Sequence, residues 1–212
     1  MDILAEAKAY AETDFSDVNQ RSVERLVELA GPREKAEALD LGTGPGDIPV
    51  RLIRLHPQWR VTAVDASGPM LDFARRLVQR VGMVASIKLI QADAKRTGLP
   101  AHSFDVIFSN SLLHHLNDPV SLWAEIRRLA RPNAVILLRD LARPASPEAA
   151  REIVNKYTAD ASVLLQEEYY RSLLASYTPD EVRAQLQQAG LSSLQVAMVS
   201  DRHLDVFGHL SF

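Results

Sequence analysis

Asp40, Gly42, Gly44 and Gly46 stand at every second position in Asp40-Leu41-Gly42-Thr43-Gly44-Pro45-Gly46, a spacing suited to gripping a ligand through the backbone. Glycine adopts the unusual angles of a tight turn and lets a ligand approach closer than any Cβ would allow. Backbone N–H groups opening the next helix can then receive an anionic or polar ligand group. Two more carboxylates, Asp65 and Asp93, follow apolar runs, and Asp65 lies 19 residues beyond Gly46. A carboxylate so placed can accept hydrogen bonds from a ribose diol, as the acid does in dinucleotide folds. His114 and His115 are adjacent, and a neutral imidazole with a pKa of about 6.5 can take a proton from a hydroxyl, an acidic carbon or an amine.

Ala38–Leu41, Arg60–Asp65, Ser86–Gln91, Phe104–Ser109 and Ala134–Leu138 read as strands. They alternate with helices near 46–56, 69–81 and 119–130, the signature of a doubly wound α/β sheet with right-handed crossovers. Asp118-Pro119 opens one helix with an N-cap and a proline at the first position. Thr178-Pro179-Asp180-Glu181 opens another through a capping box, and Gly190 ends it. Leu194–Val199 and His203–Phe207, joined through Ser200-Asp201-Arg202, read as an antiparallel hairpin.

At 212 residues and 47% hydrophobic content the chain can bury one α/β core, so 1–212 is expected to be a single domain. The net charge of −3 argues against nucleic acid as a partner, which needs a basic stripe. The absence of cysteine removes structural disulfides, thiolate zinc sites and iron–sulfur clusters. The histidines outside the pair are scattered, so no metal site is expected. No apolar run suggests a membrane span, and the N-terminus lacks signal-peptide character, so the expected location is cytoplasmic.

The ligand class turns on glycine spacing. A dinucleotide fingerprint starting at Gly42 and Gly44 would want glycine at position 47, which is Asp47, and no Walker Gly-Lys-Ser/Thr follows. The acid-x-Gly-x-Gly-x-Gly run, the strand-end Asp65, the Ala92-Asp93-Ala94 triplet and the segment after the fourth strand resemble the class I S-adenosylmethionine (SAM) methyltransferases. Within them, Leu112-Leu113-His114-His115-Leu116 followed by Asp118-Pro119 resembles the small-molecule enzymes of ubiquinone and menaquinone biosynthesis. The resemblance implies a Rossmann-like seven-stranded sheet of order 3-2-1-4-5-7-6 with strand 7 antiparallel. It implies SAM as cofactor, S-adenosylhomocysteine (SAH) as product and a small-molecule acceptor. The Asp-Pro-Pro-aromatic type of motif of DNA methyltransferases is absent, and no double-glutamate loop of arginine methyltransferases follows the fourth strand. Other classes remain open on sequence alone: a SAM-binding regulator, or a SAM-using lyase or cyclase on the same fold.

The resemblance implies cofactor contacts from Asp40, Gly42, Thr43, Gly44 and Gly46. Asp65, Ala66, Ser67 and Met70 follow the second strand, Asp93 and Ala94 the third, Asn110 and Ser111 the fourth, and Tyr10 comes from the N-terminal segment. In this family Asp65 takes the ribose and Asp93 the adenine amino group. The competing readings are a helix-start acid for Asp65 and an ordinary loop acid for Asp93. Two stretches lie outside the minimal core, residues 1–20 and 141–178, and they hold all five tyrosines. Both are expected to cover the acceptor site as a lid. Catalytic candidates are His115, His114 and Tyr170, against the alternatives of a loop histidine bonding backbone and a tyrosine packing on the core. Asp140, at the end of the fifth strand near the expected acceptor pocket, could orient an amine or a metal, but reads as a surface ion pair with Arg139 or Arg143. The expected assembly is a monomer or homodimer.

Overall fold

A computed structural model describes residues 16–210 of the chain. Seven strands form one sheet in the order β3-β2-β1-β4-β5-β7-β6, as the resemblance implied. They are β1 (Glu37–Leu41), β2 (Arg60–Asp65), β3 (Ile87–Gln91), β4 (Phe104–Asn110), β5 (Ala130–Leu141), β6 (Gln195–Met198) and β7 (His203–Leu210). The first five are parallel, while β7 runs antiparallel to both β5 and β6.

Side chains alternate between the two faces of a strand, and this parity sorts the core into two layers. Ala38, Val106, Phe108, Val135 and Leu137 pack with α1 (Ser16–Ala30), α2 (Asp47–Leu55) and α3 (Gly68–Arg80), through Val23, Leu26, Val50, Ile53 and Val78. Leu39, Leu41, Ile107, Ile136 and Leu138 pack on the other face. There α4 (Pro119–Leu129) brings Trp123 and Ile126, and α7 (Pro179–Gln188) brings Val182 and Leu186. Asp40 is in phase with Ala38, and Asp140 with Ile136 and Leu138, so the two strand-end acids belong to opposite faces.

The capping signals hold in part. Pro119 opens α4, but Asp118 makes no side-chain cap hydrogen bond to the helix backbone and accepts from the Ser121 hydroxyl instead; α7 starts with the full Thr178–Glu181 capping box. Three features differ from the sequence reading. Helix α1 was not anticipated, and residues 16–20, read as the end of an N-terminal cover, are its first turn. Residues 1–15, Tyr10 among them, lie outside the described residues. Strand β5 begins at Ala130 rather than Ala134, because Ala130 pairs with Phe104 before the register shifts around Asn133, whose φ is +62°.

The excursion between β5 and α7 folds as two helices, α5 (Pro147–Thr158) and α6 (Val163–Ala175). Its two ends meet where Ala142 bridges Tyr177 and where the Tyr177 hydroxyl donates to the Leu116 carbonyl at 2.5 Å. Among the described residues no helix is long and apolar enough to cross a membrane, and no group of three or more His, Cys, Asp or Glu is arranged to hold a metal ion.

Candidate active site

The chain leaves β1 through Gly42, Gly44 and Gly46, whose φ angles are +74°, +55° and +83°. The turn is tied down because Gly42 and Thr43 both donate to the Val64 carbonyl, at 2.8 and 2.9 Å. The glycines have distinct reasons to be there. A Cβ on Gly42 would lie 3.0 Å from Leu112, and one on Gly46 would lie 3.0 Å from Ala74 of α3. One on Gly44 would meet open space, where a ligand can approach the backbone.

Asp65 braces this turn from β2. One carboxylate oxygen accepts the Gly44 N–H at 2.7 Å and the other the Ser67 N–H at 2.8 Å. The cap of α3 is Ser67, whose hydroxyl accepts from the Met70 N–H at 3.4 Å. Asp65 therefore reaches back to the glycine turn instead of capping the helix. Its oxygens retain acceptor capacity, since a carboxylate offers about four lone-pair sites. At the start of α2, Asp47 accepts from Arg51 Nε at 2.6 Å and Asn19 Nδ2 at 2.9 Å. This fixes a negative charge where a dinucleotide fold would seat pyrophosphate.

Among the described residues, three buried side-chain atoms lack hydrogen-bond partners: Asp40 Oδ2, Thr43 Oγ1 and Asn110 Oδ1. All three sit at the carboxyl ends of β1 and β4, the neighbouring central strands. Buried polar groups without partners are uncommon and ask for an explanation; a ligand with several polar groups at this end supplies one. Burial pushes the Asp40 carboxyl up to about 7; nearby Thr43 opposes the rise and the Asp65 charge adds to it. Ser111, next to Asn110, holds a φ of +60°, and such backbone outliers gather at ligand sites. Ala66 is exposed and its carbonyl accepts from Gln91, whereas Met70 and Ala94 are buried. Asp93 is exposed and engaged by the Lys95 backbone and ammonium, both at 2.9 Å, which hold its carboxyl below the ordinary range despite some desolvation.

The 3₁₀ turn Leu113–His115 follows β4 and brings the histidines above β5. His114 is buried, and its Nδ1 lies 2.6 Å from Asp140 Oδ1. Asp140 also accepts the Leu113 N–H at 2.6 Å and the Leu141 N–H at 2.7 Å. The expectation of a surface ion pair at Asp140 is corrected here, because the residue is only 2% exposed. Arg139 turns to the other face and makes a bidentate pair with buried Asp205, while Arg143 pairs with Glu181. Parity carried part of the signal: adjacent Arg139 and Asp140 must fall on opposite faces of β5, and both faces are buried, Arg139 in phase with Val135 and Leu137 and Asp140 with Ile136 and Leu138.

His115 is exposed and its ring lies tilted at 42° to that of His114, with centroids 4.0 Å apart. Desolvation, then the His114 neighbour, pull its imidazole down to about 4, against an opposing contribution from Asp140. Tyr170 is half-buried in α6, with the Arg151 guanidinium 3.7 Å from its ring centre. Tyr169 and Tyr170 pack on the small cluster of Leu141, Ala150, Val154 and Leu173, and burial pushes the Tyr169 phenol up to about 12. The structure thus gathers the glycine turn, Asp40, Asp65, Asn110, Ser111 and the histidine pair at one end of the sheet. It leaves Asp93 at the outer margin.

A glycine turn braced by a strand-end acid, in a sheet of this order, is similar to the arrangement of the class I SAM-dependent methyltransferases, transferases whose cofactor is SAM. Residues 39–138 match the methyltransferase domain family. The chain is 27% identical over 193 residues to the ubiquinone/menaquinone biosynthesis C-methyltransferase of Hahella chejuensis, covering 84% of this chain and 77% of that protein. It is 34% identical over 125 residues to the trans-aconitate 2-methyltransferase of Azoarcus sp., covering 59% of this chain but 47% of that protein. In fold it is similar to a SAM-dependent methyltransferase from Aquifex aeolicus, with a TM-score of 0.72, 21% identity and 98% of each chain covered. The chain resembles the ubiquinone/menaquinone group, as the sequence suggested.

Proposed function

We propose that this protein transfers the methyl group of SAM to a small-molecule acceptor bound between the histidine turn and helices α5 and α6, and that 1–212 acts as one methyltransferase domain. The observation that carries the reading is the set of orphaned buried atoms on Asp40, Thr43 and Asn110 beside a glycine turn with open space at Gly44. When bound, SAM supplies an electrophilic methyl carbon on a positively charged sulfur.

In this reading Asp40 offers its bare oxygen to the amino-acid end of SAM, and Asp65 uses its remaining lone pairs on the ribose hydroxyls. The Gly44 backbone lies alongside, and Ala66, Ser67 and Met70 line the approach to Asp65. Asp93 and Ala94 border the adenine, Asp93 keeping its Lys95 contacts. Asn110 and Ser111 face the methyl-bearing end. The methyl group needs a nucleophile held in line with it, and alignment alone can supply much of the rate. Where the acceptor must lose a proton, the His114–His115 pair is the base within reach.

Residues 141–178 serve as the acceptor cover. Tyr170 stands as a wall of that cavity, with its ring already held by Arg151. The ubiquinone/menaquinone and trans-aconitate relatives act on small metabolites by their names, and a small metabolite is the acceptor class assigned here. A soluble monomer or homodimer in the cytoplasm suits such chemistry.

The test is incubation of the protein with methyl-labelled SAM and a metabolite extract, followed by separation of the products. Label in a small molecule with matching SAH release supports the reading. SAM binding with no transfer to any fraction points to a binding protein, and a SAM-derived fragment other than methyl points to a lyase or cyclase.

A further inference from the structure

The geometry points to Asp140 as a positioning residue that fixes His114 as the proton acceptor, with Nε2 as the accepting atom and an acceptor that must give up a proton on methylation. The inference rests on the methyltransferase reading above and deepens it. Its starting point is the hydrogen-bond inventory of one buried carboxylate. Asp140 takes the backbone N–H of Leu113 on Oδ2, and the backbone N–H of Leu141 together with His114 Nδ1 on Oδ1. Backbone N–H groups are donors only, so both oxygens are committed as acceptors and Asp140 is held in its carboxylate role. The 2.6 Å contact to the imidazole then needs the proton on Nδ1.

That assignment leaves Nε2 with its lone pair free in the neutral ring, since the partner of one ring nitrogen decides the state of the other. No bond to Nε2 is present among the described residues. The ring is held by Asp140, by the tilted His115 ring with its centroid 4.0 Å away, and by α6, which packs over the 3₁₀ turn. A base whose orientation and tautomer are set before the acceptor arrives loses no time finding the productive state. Among the described residues His115 has no such partner. The pairing depends on β4–β5 register, in which Ser109 opposes Leu138 and Asn110 opposes Arg139, so that the turn after β4 falls on Asp140.

The step balances without another reactant. The acceptor X–H bond breaks, its proton goes to Nε2, and the electron pair left on X forms the new bond to the methyl carbon, whose bond to the sulfur of SAM would break with its pair left on sulfur to give SAH. The resulting imidazolium is paired with the Asp140 carboxylate and returns its proton to solvent when the cover opens. An acceptor with no proton to lose from its nucleophilic atom, such as a tertiary amine or a thioether, has no use for this pair. A hydroxyl or an activated carbon does.

The test reads the ring itself. In protein labelled with ¹⁵N at histidine, long-range ¹⁵N–¹H correlation of the SAH complex near neutral pH is expected to show His114 with the proton on Nδ1 and a bare Nε2. In Asp140→Asn the single side-chain oxygen cannot serve all three donors, so the Nδ1-protonated population is expected to fall. Labelled-methyl transfer to the acceptor fraction of an extract should fall about 100-fold in Asp140→Asn and in His114→Gln, while SAH affinity stays within about threefold. Should Asp140→Asn fail to fold, the wild-type tautomer and His114→Gln still decide. A wild-type ring protonated on Nε2, or His114→Gln with undiminished transfer, overturns the inference. Failure of wild-type protein to bind SAH would instead remove the methyltransferase reading, whatever the tautomer.

Discussion

The two strand-end acids, Asp40 and Asp140, illustrate how differently the two halves of the site are built. Asp40 closes β1 with an oxygen that has no partner, and the turn beside it is shaped by glycines only a few residues away. Asp140 closes β5 with both oxygens engaged, by an imidazole and two backbone N–H groups, one of them Leu113 from 27 residues away. The first offers a free acceptor and lies in contiguous sequence. The second is assembled from distant segments. In the proposed function, cofactor recognition then sits in local backbone geometry, and acceptor chemistry in tertiary packing.

The sharpest way to break the cofactor half is Gly44→Val. Open space around Gly44 means that the folded chain can hold the larger side chain at a cost of about 1–2 kcal/mol from its positive φ. The same side chain would occupy the ligand's approach, so SAH binding should fall more than 100-fold while circular dichroism stays that of the wild type. Retained binding would place the ligand away from the turn.

Asp40 gives the next effect, through pH. Its folded value of about 7 lies above the ordinary 3.8, so the unfolded chain ionises first as pH rises. The stability of ligand-free protein associated with this group is complete below about pH 4 and is lost as pH climbs through 7. The thermal midpoint of ligand-free protein should therefore drop more steeply from pH 5 to pH 8 in the wild type than in Asp40→Asn. Parallel pH curves for the two proteins would mean that Asp40 is already ionised and paired.

The smallest effect concerns the cover. Helices α5 and α6 rest on a four-residue buried cluster and on exposed contacts such as Lys156 and Tyr157 with Asp201. Few buried contacts mark a segment of low local stability. Hydrogen exchange across 145–178 should slow severalfold on adding SAH, with little change in the α7 segment 179–188, which is fixed by its capping box and by buried Val182 and Leu186. Unchanged exchange across 145–178 would make the two helices scaffold.

The same division explains what was legible in the sequence. The parallel strands carry apolar runs, and the helices are punctuated by proline, caps and glycine, so the elements could be read from neighbours along the chain. Strand order came from resemblance, since periodicity cannot supply it. Helix α1 went unread although Val23, Leu26, Val27 and Ala30 repeat at helical spacing, because its first turn, Ser16-Asp17-Val18-Asn19-Gln20, is mostly polar. The His114–Asp140 pair went unread for another reason. Its partners are 26 residues apart, and only the β4–β5 register brings them together. Strand parity could have withdrawn Arg139 as a partner, but not named His114.

The central claim, that the glycine turn with Asp40 and Asp65 is a SAM site, is tested most directly by calorimetric titration of SAH and NAD into wild type and Asp65→Ala. Losing charge-assisted hydrogen bonds of about 1.5–3 kcal/mol each should weaken SAH binding at least tenfold in the variant, against a one-to-one wild-type complex and no heat from NAD. Wild-type binding of NAD in place of SAH, or equal SAH affinity in the two proteins, would contradict the account.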